Sequence, residues 1–186
     1  MRKVIHSFEV RSNESACRKK VRLGLEQVIR SKVDADHAAD TVTRRSHTCF
    51  LVYINLALLH WFSKKQASVE SSSFGSEFVS MKHFCEYIRG RRYKLRMMGI
   101  AVEVPAYIQG DNKYVLVNTT IPDSTLKKKS KIIAYVFLIE GAARDKWITI
   151  YVNTHDNQAD LLTNQLSSGG NIYIYLIKLL HHVFRT

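Results

Sequence analysis

At 186 residues, 46% of them hydrophobic, the chain is long enough for one domain with a buried core, and wholesale disorder is excluded. Lysine and arginine number 28 against 16 acids, a formal net charge of +12, which favours polyanionic partners such as nucleic acid or an acidic membrane surface. The three cysteines, Cys17, Cys49 and Cys85, have no CxxC spacing and the eight histidines no HxxxH spacing, so neither a disulfide framework nor a zinc site is expected.

The elements follow in chain order. Residues 1–27 are polar and charged, with weak helical patterning from Val21 to Ile29, and read as a poorly ordered arm or a loosely docked helix. A first strand, ending at Asp34, precedes the hairpin. In "HTCFLVYINLALLHWFSKKQ", Phe50, Val52 and Ile54 alternate with their neighbours, then Leu56, Leu58, His60 and Phe62 do so, which predicts a hairpin turning near Asn55. No glycine follows Asn55, so the turn signal is poor. The period then changes: Phe74, Phe78, Met81, Cys85 and Ile88 mark a long amphipathic helix, with serines at 71–73 to start it and Gly99 to stop it. "PAYIQGDN" is a short strand ending at Gly110, "DSTLKKKSKIIAYVFLIEGAA" a helix with a basic first half, and "KWITIYVN" another strand. "DNQADLLTNQL" starts a further helix, and 167–186 forms a basic, apolar and helical tail. This is a mixed α/β pattern around one sheet. The most apolar runs, Phe50–Phe62 and Ile172–Phe184, are 13 residues each, short of the roughly 20 a spanning helix needs, so no membrane is expected as a partner. The cysteine usage suits a reducing compartment, cytoplasm or nucleus.

The acids bear on chemistry. Asp34, Asp36 and Asp40 fall within seven positions. An EF-hand loop counted from Asp34 would place Ala38, Ala39 and Arg45 at positions 5, 6 and 12, which rejects a calcium loop. A solvated turn after a strand is the plain alternative. Glu77 stands about 40° around the helix from Met81, at the edge of the buried face, where an unpaired carboxylate is costly. A capping box there would need Phe74 as its N-cap, a poor capper. Asp111 follows a strand directly, where α/β sheets gather ligands, although a Gly-Asp-Asn turn explains it too. Asp160 has an ordinary reading as the third helical position after an Asn157 cap. Together, four carboxylates in a basic chain suit two hard divalent cations and a phosphodiester substrate.

The blocks "VDADHAADTVTRRS", "WFSKKQASVESSSFGSEFVSMK", "YIQGDN" and "VNTHDNQADLLT" resemble, in order and spacing, the ribonuclease H domain at the end of copia-type retrotransposon polyproteins, over roughly residues 28–166. "RGRRYKLRMMG" and "STLKKKS" look like diatom variants of it. The resemblance implies a ribonuclease H-like fold, a mixed five-stranded sheet flanked by helices. It implies metal-dependent cleavage of the RNA strand of RNA–DNA hybrids, with two Mg²⁺ ions (Mn²⁺ as a substitute), no small-molecule cofactor, and a reverse transcriptase upstream in the polyprotein. It places the family acids on Asp34, Glu77, Asp111 and Asp160. Asp34 would bridge both ions, Asp160 would help hold the one that activates water, and Glu77 and Asp111 the one near the leaving oxygen. Asp36 and Asp40 are not ligands in this scheme. Cellular ribonucleases H carry a loop histidine before the last acid as a proton shuttle; His155 lies closer to that acid, copia-type members often lack the histidine, and the plainer reading is a surface histidine. Arg89, Arg91, Arg92, Lys94 and Arg96, with Lys127, Lys128, Lys129 and Lys131, are candidate phosphate contacts, against the plain reading of a solvated charged face.

Departures from the pattern are also visible. Ala39 and Cys49 stand where glycines are usual, Val136 replaces a histidine, Asn164 a lysine, and the hairpin lacks its glycine turn. They open a second reading, a degraded or domesticated remnant that binds nucleic acid without cutting it.

Overall fold

A computed structural model describes residues 27–100, 102–120, 132–163 and 177. The elements are β1 (Ile29–Ala35), β2 (His47–Ile54), β3 (Ala57–Lys65), α1 (Ser73–Met97), β4 (Ala106–Gly110), α2 (Lys113–Thr120), α3 (Ile132–Ala143) and β5 (Trp147–Tyr151). Two short 3-10 turns follow, Thr154–Asp156 and Gln158–Leu162. The strands form one sheet in the order β3-β2-β1-β4-β5. β1, β2 and β3 run antiparallel to their neighbours, and β1, β4 and β5 run parallel. The carboxyl ends of β1, β3, β4 and β5 and the start of β2 therefore share one end of the sheet. The expected mixed five-stranded sheet is what forms. No helix among the described residues is long and apolar enough to cross a membrane.

The hairpin turns where the alternation breaks. Ile54 pairs with Ala57, leaving Asn55 and Leu56 as the loop. Asn55 takes φ 56°, a left-handed conformation that asparagine tolerates better than most residues. Its side-chain oxygen accepts the Val28 N–H at 3.1 Å, and its own N–H bonds the Val28 carbonyl. Tertiary bonding thus replaces the missing glycine. Cys49, the other glycine substitution inside an element, is fully buried, with its thiol on Ser63 Oγ at 3.3 Å and the Leu162 carbonyl at 3.1 Å.

α1 starts at the serines, with Ser72 Oγ accepting the Gly75 N–H, and its chain leaves through Gly99 at φ 75°. Phe78, Met81, Phe84, Cys85 and Ile88 are buried along one face. They join Val33, Phe50 and Val52 of the sheet and Val115, Tyr135 and Leu138 of α2 and α3 in one apolar cluster. Full burial of each large side chain contributes on the order of 2 kcal/mol. Phe50 stacks on Phe62 at 4.7 Å and meets the Phe84 edge at 5.6 Å. α3 lies close enough to β5 that a Cβ on Gly141 would fall 1.8 Å from the Trp147 ring. The Trp147 indole N–H donates to the Leu138 carbonyl there.

Four expectations need correction or fall outside the described residues. Ile29, read with the helical arm, belongs to β1. α2 was not expected: "KYVLVNTT" has the β-branched composition of a strand, yet Asn112 caps it, accepting the Tyr114 and Val115 N–H groups, and Val115 and Leu116 are drawn into the core. The helix expected from residue 156 is, as far as Thr163, a single 3-10 turn, Gln158–Leu162. The basic half of the helix before α3, with Lys127, Lys128, Lys129 and Lys131, lies outside the described residues, as do Asn164, almost all of the N-terminal arm and, Ile177 apart, the 167–186 tail.

Candidate active site

Each of the four acids reaches one place by a different route. Asp34 is the penultimate residue of β1, and Asp111 follows the last residue of β4, the parallel neighbour. Glu77 stands in the second turn of α1, which packs across β1 and β2. Asp160 sits on the second 3-10 turn, which packs on β1 and β2. Asn157 directs that turn: its side chain accepts the Ala159 N–H and donates to the Val33 carbonyl at 3.2 Å, next to Asp34. The capping role and the site role of this segment are one arrangement.

Asp34, Asp111 and Asp160 each present an oxygen within 4.8 Å of the other two. At that separation each pair of ionised carboxylates repels by about 3 kcal/mol at an effective dielectric of 20. Glu77 lines the same small hollow with Asp34, Met81, Gly110 and Asn112. Burial pushes the Asp34 carboxyl up, and the Asp111 charge adds to this, while Thr163 Oγ, donating to Asp34 Oδ2 at 2.6 Å, acts the other way. Burial raises Asp160 to about 7, with the charges of Asp34 and Asp111 in the same sense and Lys32 opposing. Burial likewise raises Glu77 to about 7, although Asn112 Nδ2 donates to its Oε1 at 3.1 Å. Acceptor-only oxygens held together against their own repulsion are the donor set of a hard divalent cation, so the residues present fit such an ion.

The other aspartates of the first block serve the loop between β1 and β2. Asp36 accepts the His47 N–H and meets His47 Nδ1 at 3.0 Å. Asp40 Oδ1 accepts the Val42 and Thr43 N–H groups, and its Oδ2 accepts from Lys65. His155 is exposed on the first 3-10 turn, with its backbone N–H on Asn153 Oδ1.

The basic cluster of α1 lies elsewhere. From Glu77 to Arg89 is about 18 Å along the helix axis, and to Arg96 about 28 Å. Arg92 is occupied by the fold: its guanidinium donates to the carbonyls of Lys146, Val102 and Val104, tying α1 to the segments entering β4 and β5. Arg96 lies 3.6 Å from Glu103. Arg89 covers the Phe137 ring at 5.1 Å and Arg91 the Tyr87 ring at 4.9 Å, while Lys94 is exposed. Sequence reasoning missed Asn112 and Thr163, the partners of Glu77 and Asp34; the only local signal was Asn112 as a helix cap.

No family model matches the chain. The retrovirus-related Pol polyproteins from transposons RE2 and RE1 of Arabidopsis thaliana are each 30% identical to it over 134 residues, 72% of this chain. The chain spans 9% of the length of those relatives. Among solved structures, an RNase H1 isolated from compost, in complex with an RNA/DNA hybrid, superposes with a TM-score of 0.55 at 12% identity, covering 75% of this chain and 94% of that one. The N-terminal RNase H domain of rv2228c from Mycobacterium tuberculosis superposes with a TM-score of 0.52 at 14% identity, covering 76% and 92%. RNase H1 from Halobacterium salinarum gives 0.53 at 14%, covering 74% and 95%. The chain is thus homologous, over those 134 residues, to a segment of retrovirus-related Pol polyproteins, and its fold is that of a ribonuclease H.

Proposed function

We propose that this chain is a ribonuclease H that hydrolyses the RNA strand of RNA–DNA hybrids, as the copia-type resemblance implies. The observation that carries the reading is the convergence of Asp34, Asp111 and Asp160, with Glu77 in the same hollow, at the carboxyl end of β1 and β4 of a ribonuclease H-like sheet. Asp34, Glu77, Asp111 and Asp160 would hold divalent cations, two Mg²⁺ ions in this reading. Such ions, when bound, supply Lewis-acid stabilisation of phosphoryl charge and a more acidic attacking water. The chain's own residues set the geometry. Thr163 holds Asp34, Asn112 holds Glu77, and Asn157 fixes the turn that carries Asp160. Water adds to phosphorus and loses a proton, the bond from phosphorus to the 3′ oxygen breaks, and the products are a 5′-phosphate and a 3′-hydroxyl. His155 stands five residues before Asp160 in the sequence, exposed, where it could relay that proton. Arg89, Arg91 and Lys94 would meet phosphates of a longer duplex, farther from the centre. In this reading the domain acts beside a reverse transcriptase, in cytoplasm or nucleus, on the hybrid that enzyme makes.

The test is cleavage of a labelled RNA–DNA hybrid by the full chain with Mg²⁺ and with chelator, beside Asp34→Asn and Asp111→Asn. The reading expects cutting of the RNA strand that chelator and either substitution abolish. Hybrid binding without any cutting by the wild-type chain would instead establish the non-catalytic remnant.

A further inference from the structure

In the nuclease reading divalent cations would offset the carboxylates at the scissile phosphate, and the flanking phosphodiester backbone calls for protein cations at the same end of the sheet. At 0.1 M salt exposed charges are screened over about 10 Å, which leaves the arginines along the far half of α1 too remote for that task. The sheet brings a different set of cations to the end that carries the acids, where Ala35 pairs with Thr48 and Thr48 with Lys64. Arg44 and Arg45 lie in the β1–β2 loop and Lys64 near the end of β3, all three exposed. Among the described residues none of the three has an acidic partner. The acids nearby are engaged: Asp36 by His47, and Asp40 by Lys65.

The loop is built to stay in place. Asp40 N–H bonds the Arg45 carbonyl at 3.3 Å, and Arg44 N–H bonds the Asp40 carbonyl at 2.8 Å. Arg44 is held at φ 55°, a conformation costly for a residue with a side chain and one that persists only when its surroundings impose it. The loop is also tied to the acidic centre. Ser46, next to Arg45, receives the Gln66 N–H at its carbonyl, and Gln66 Nε2 donates to the Ser76 carbonyl at 2.9 Å. Ser76 precedes Glu77 in α1, and Gln66 lies two residues beyond Lys64.

We propose that Arg44, Arg45 and Lys64 form a phosphate-gripping rim that holds the nucleic-acid backbone next to the carboxylate centre. This rests on the nuclease reading and goes beyond it by naming a surface absent from the charge runs of the sequence. The fixed loop presents two guanidinium groups without a backbone ordering cost at binding, and guanidinium suits phosphate oxygens through paired N–H donors.

The experiment uses the full chain in an Asp111→Asn background, which blocks cutting, with a fluorescein-labelled RNA–DNA hybrid followed by anisotropy across KCl concentrations. R44Q/R45Q/K64Q should weaken binding about 10-fold or more at 0.1 M salt and flatten the slope of log Kd against log salt by about 2–3. The charge-preserving R44K/R45K/K64R should keep the parent slope. R45Q and K64Q, substitutions at exposed positions with φ below zero, should each lower the slope by about 1, so the outcome does not depend on the triple variant folding. A parent that binds, with neutralised variants matching its affinity and slope, overturns the rim and leaves the nuclease reading standing. A parent that does not bind hybrid overturns both.

Discussion

Two stretches of this chain carry dense positive charge, and they differ in what surrounds them. Along the second half of α1, five basic residues fall within eight positions, the densest run in the described part of the sequence. One of them braces three carbonyls, another faces Glu103, and two cover aromatic rings. At the acid-bearing end of the sheet the cations are scattered: Lys32 of β1, whose charge acts on Asp160, and the exposed segments 44–45 and 64–65, of which Lys65 pairs with Asp40. Linear density marked the first region, but distance from the carboxylates decides which cations can act on a substrate held there. Charge in a sequence is a count, and its use depends on the acceptors that folding brings to each group.

That contrast can be broken at several strengths. Asp34→Asn should lower hybrid cleavage about a thousandfold, since it removes a charged oxygen from the middle of the donor set. Removing a supporting partner should cost less. Asn112→Ala frees Glu77 Oε1 without touching a carboxylate, and a loss of about 10–100-fold in Mg²⁺ affinity or activity is expected, measured by cleavage against Mg²⁺ concentration. In the other region Arg92→Met should leave the Mg²⁺ dependence unchanged and cost about 2 kcal/mol of folding stability, read by urea unfolding, because charged hydrogen bonds to three carbonyls are lost. A drop in activity without a drop in stability at Arg92 would erase the distinction drawn between the two ends of α1.

Much of the site was legible because its acids obey local rules. Asp34 and Asp111 sit at strand ends that alternation and a Gly-Asp turn reveal, and Glu77 sits at a helix angle that the apolar period fixes. Asp160 had an ordinary explanation, an acid after an Asn157 cap, and that explanation is correct as far as it goes. What no short window shows is that Asn157 also reaches the Val33 carbonyl, 124 residues away in sequence, and so carries Asp160 to Asp34. Asn112 on Glu77 and Thr163 on Asp34 are likewise 35 and 129 residues apart. α2 was illegible for a related reason: its valines, tyrosine and threonines favour strand, and burial of Val115 and Leu116 against the sheet overrides that preference. The losses of glycine at Cys49 and in the hairpin looked like damage, yet each is absorbed by a contact from a distant segment.

The smallest effect separates the β1–β2 loop from the carboxylate centre by sign. Asp40, at the loop, is held well below the usual carboxylate range by Lys65 and by backbone N–H groups. Its stabilising contribution is present at neutral pH and is lost as acid protonates it. Glu77 and Asp160, at the centre, are raised from ordinary values to about 7. Between about pH 4.5 and 7 the folded chain therefore holds protons that the unfolded chain has released, so stability falls as pH rises through that window. Solvent screening of these half-open carboxyls limits the total to about 2 kcal/mol. The chelator-treated protein should unfold at a higher temperature at pH 5.5 than at pH 8, with Mg²⁺ restoring stability mainly at pH 8, where the carboxylates are ionised and free to bind it. Glu77→Gln should flatten this slope, whereas Lys65→Met should leave the slope and lower stability equally at pH 5.5 and pH 8, the difference from wild type fading only in strong acid. A chelated wild-type chain whose melting temperature rises steadily from pH 5.5 to pH 8 would mean that the four acids are not held together against their own charge.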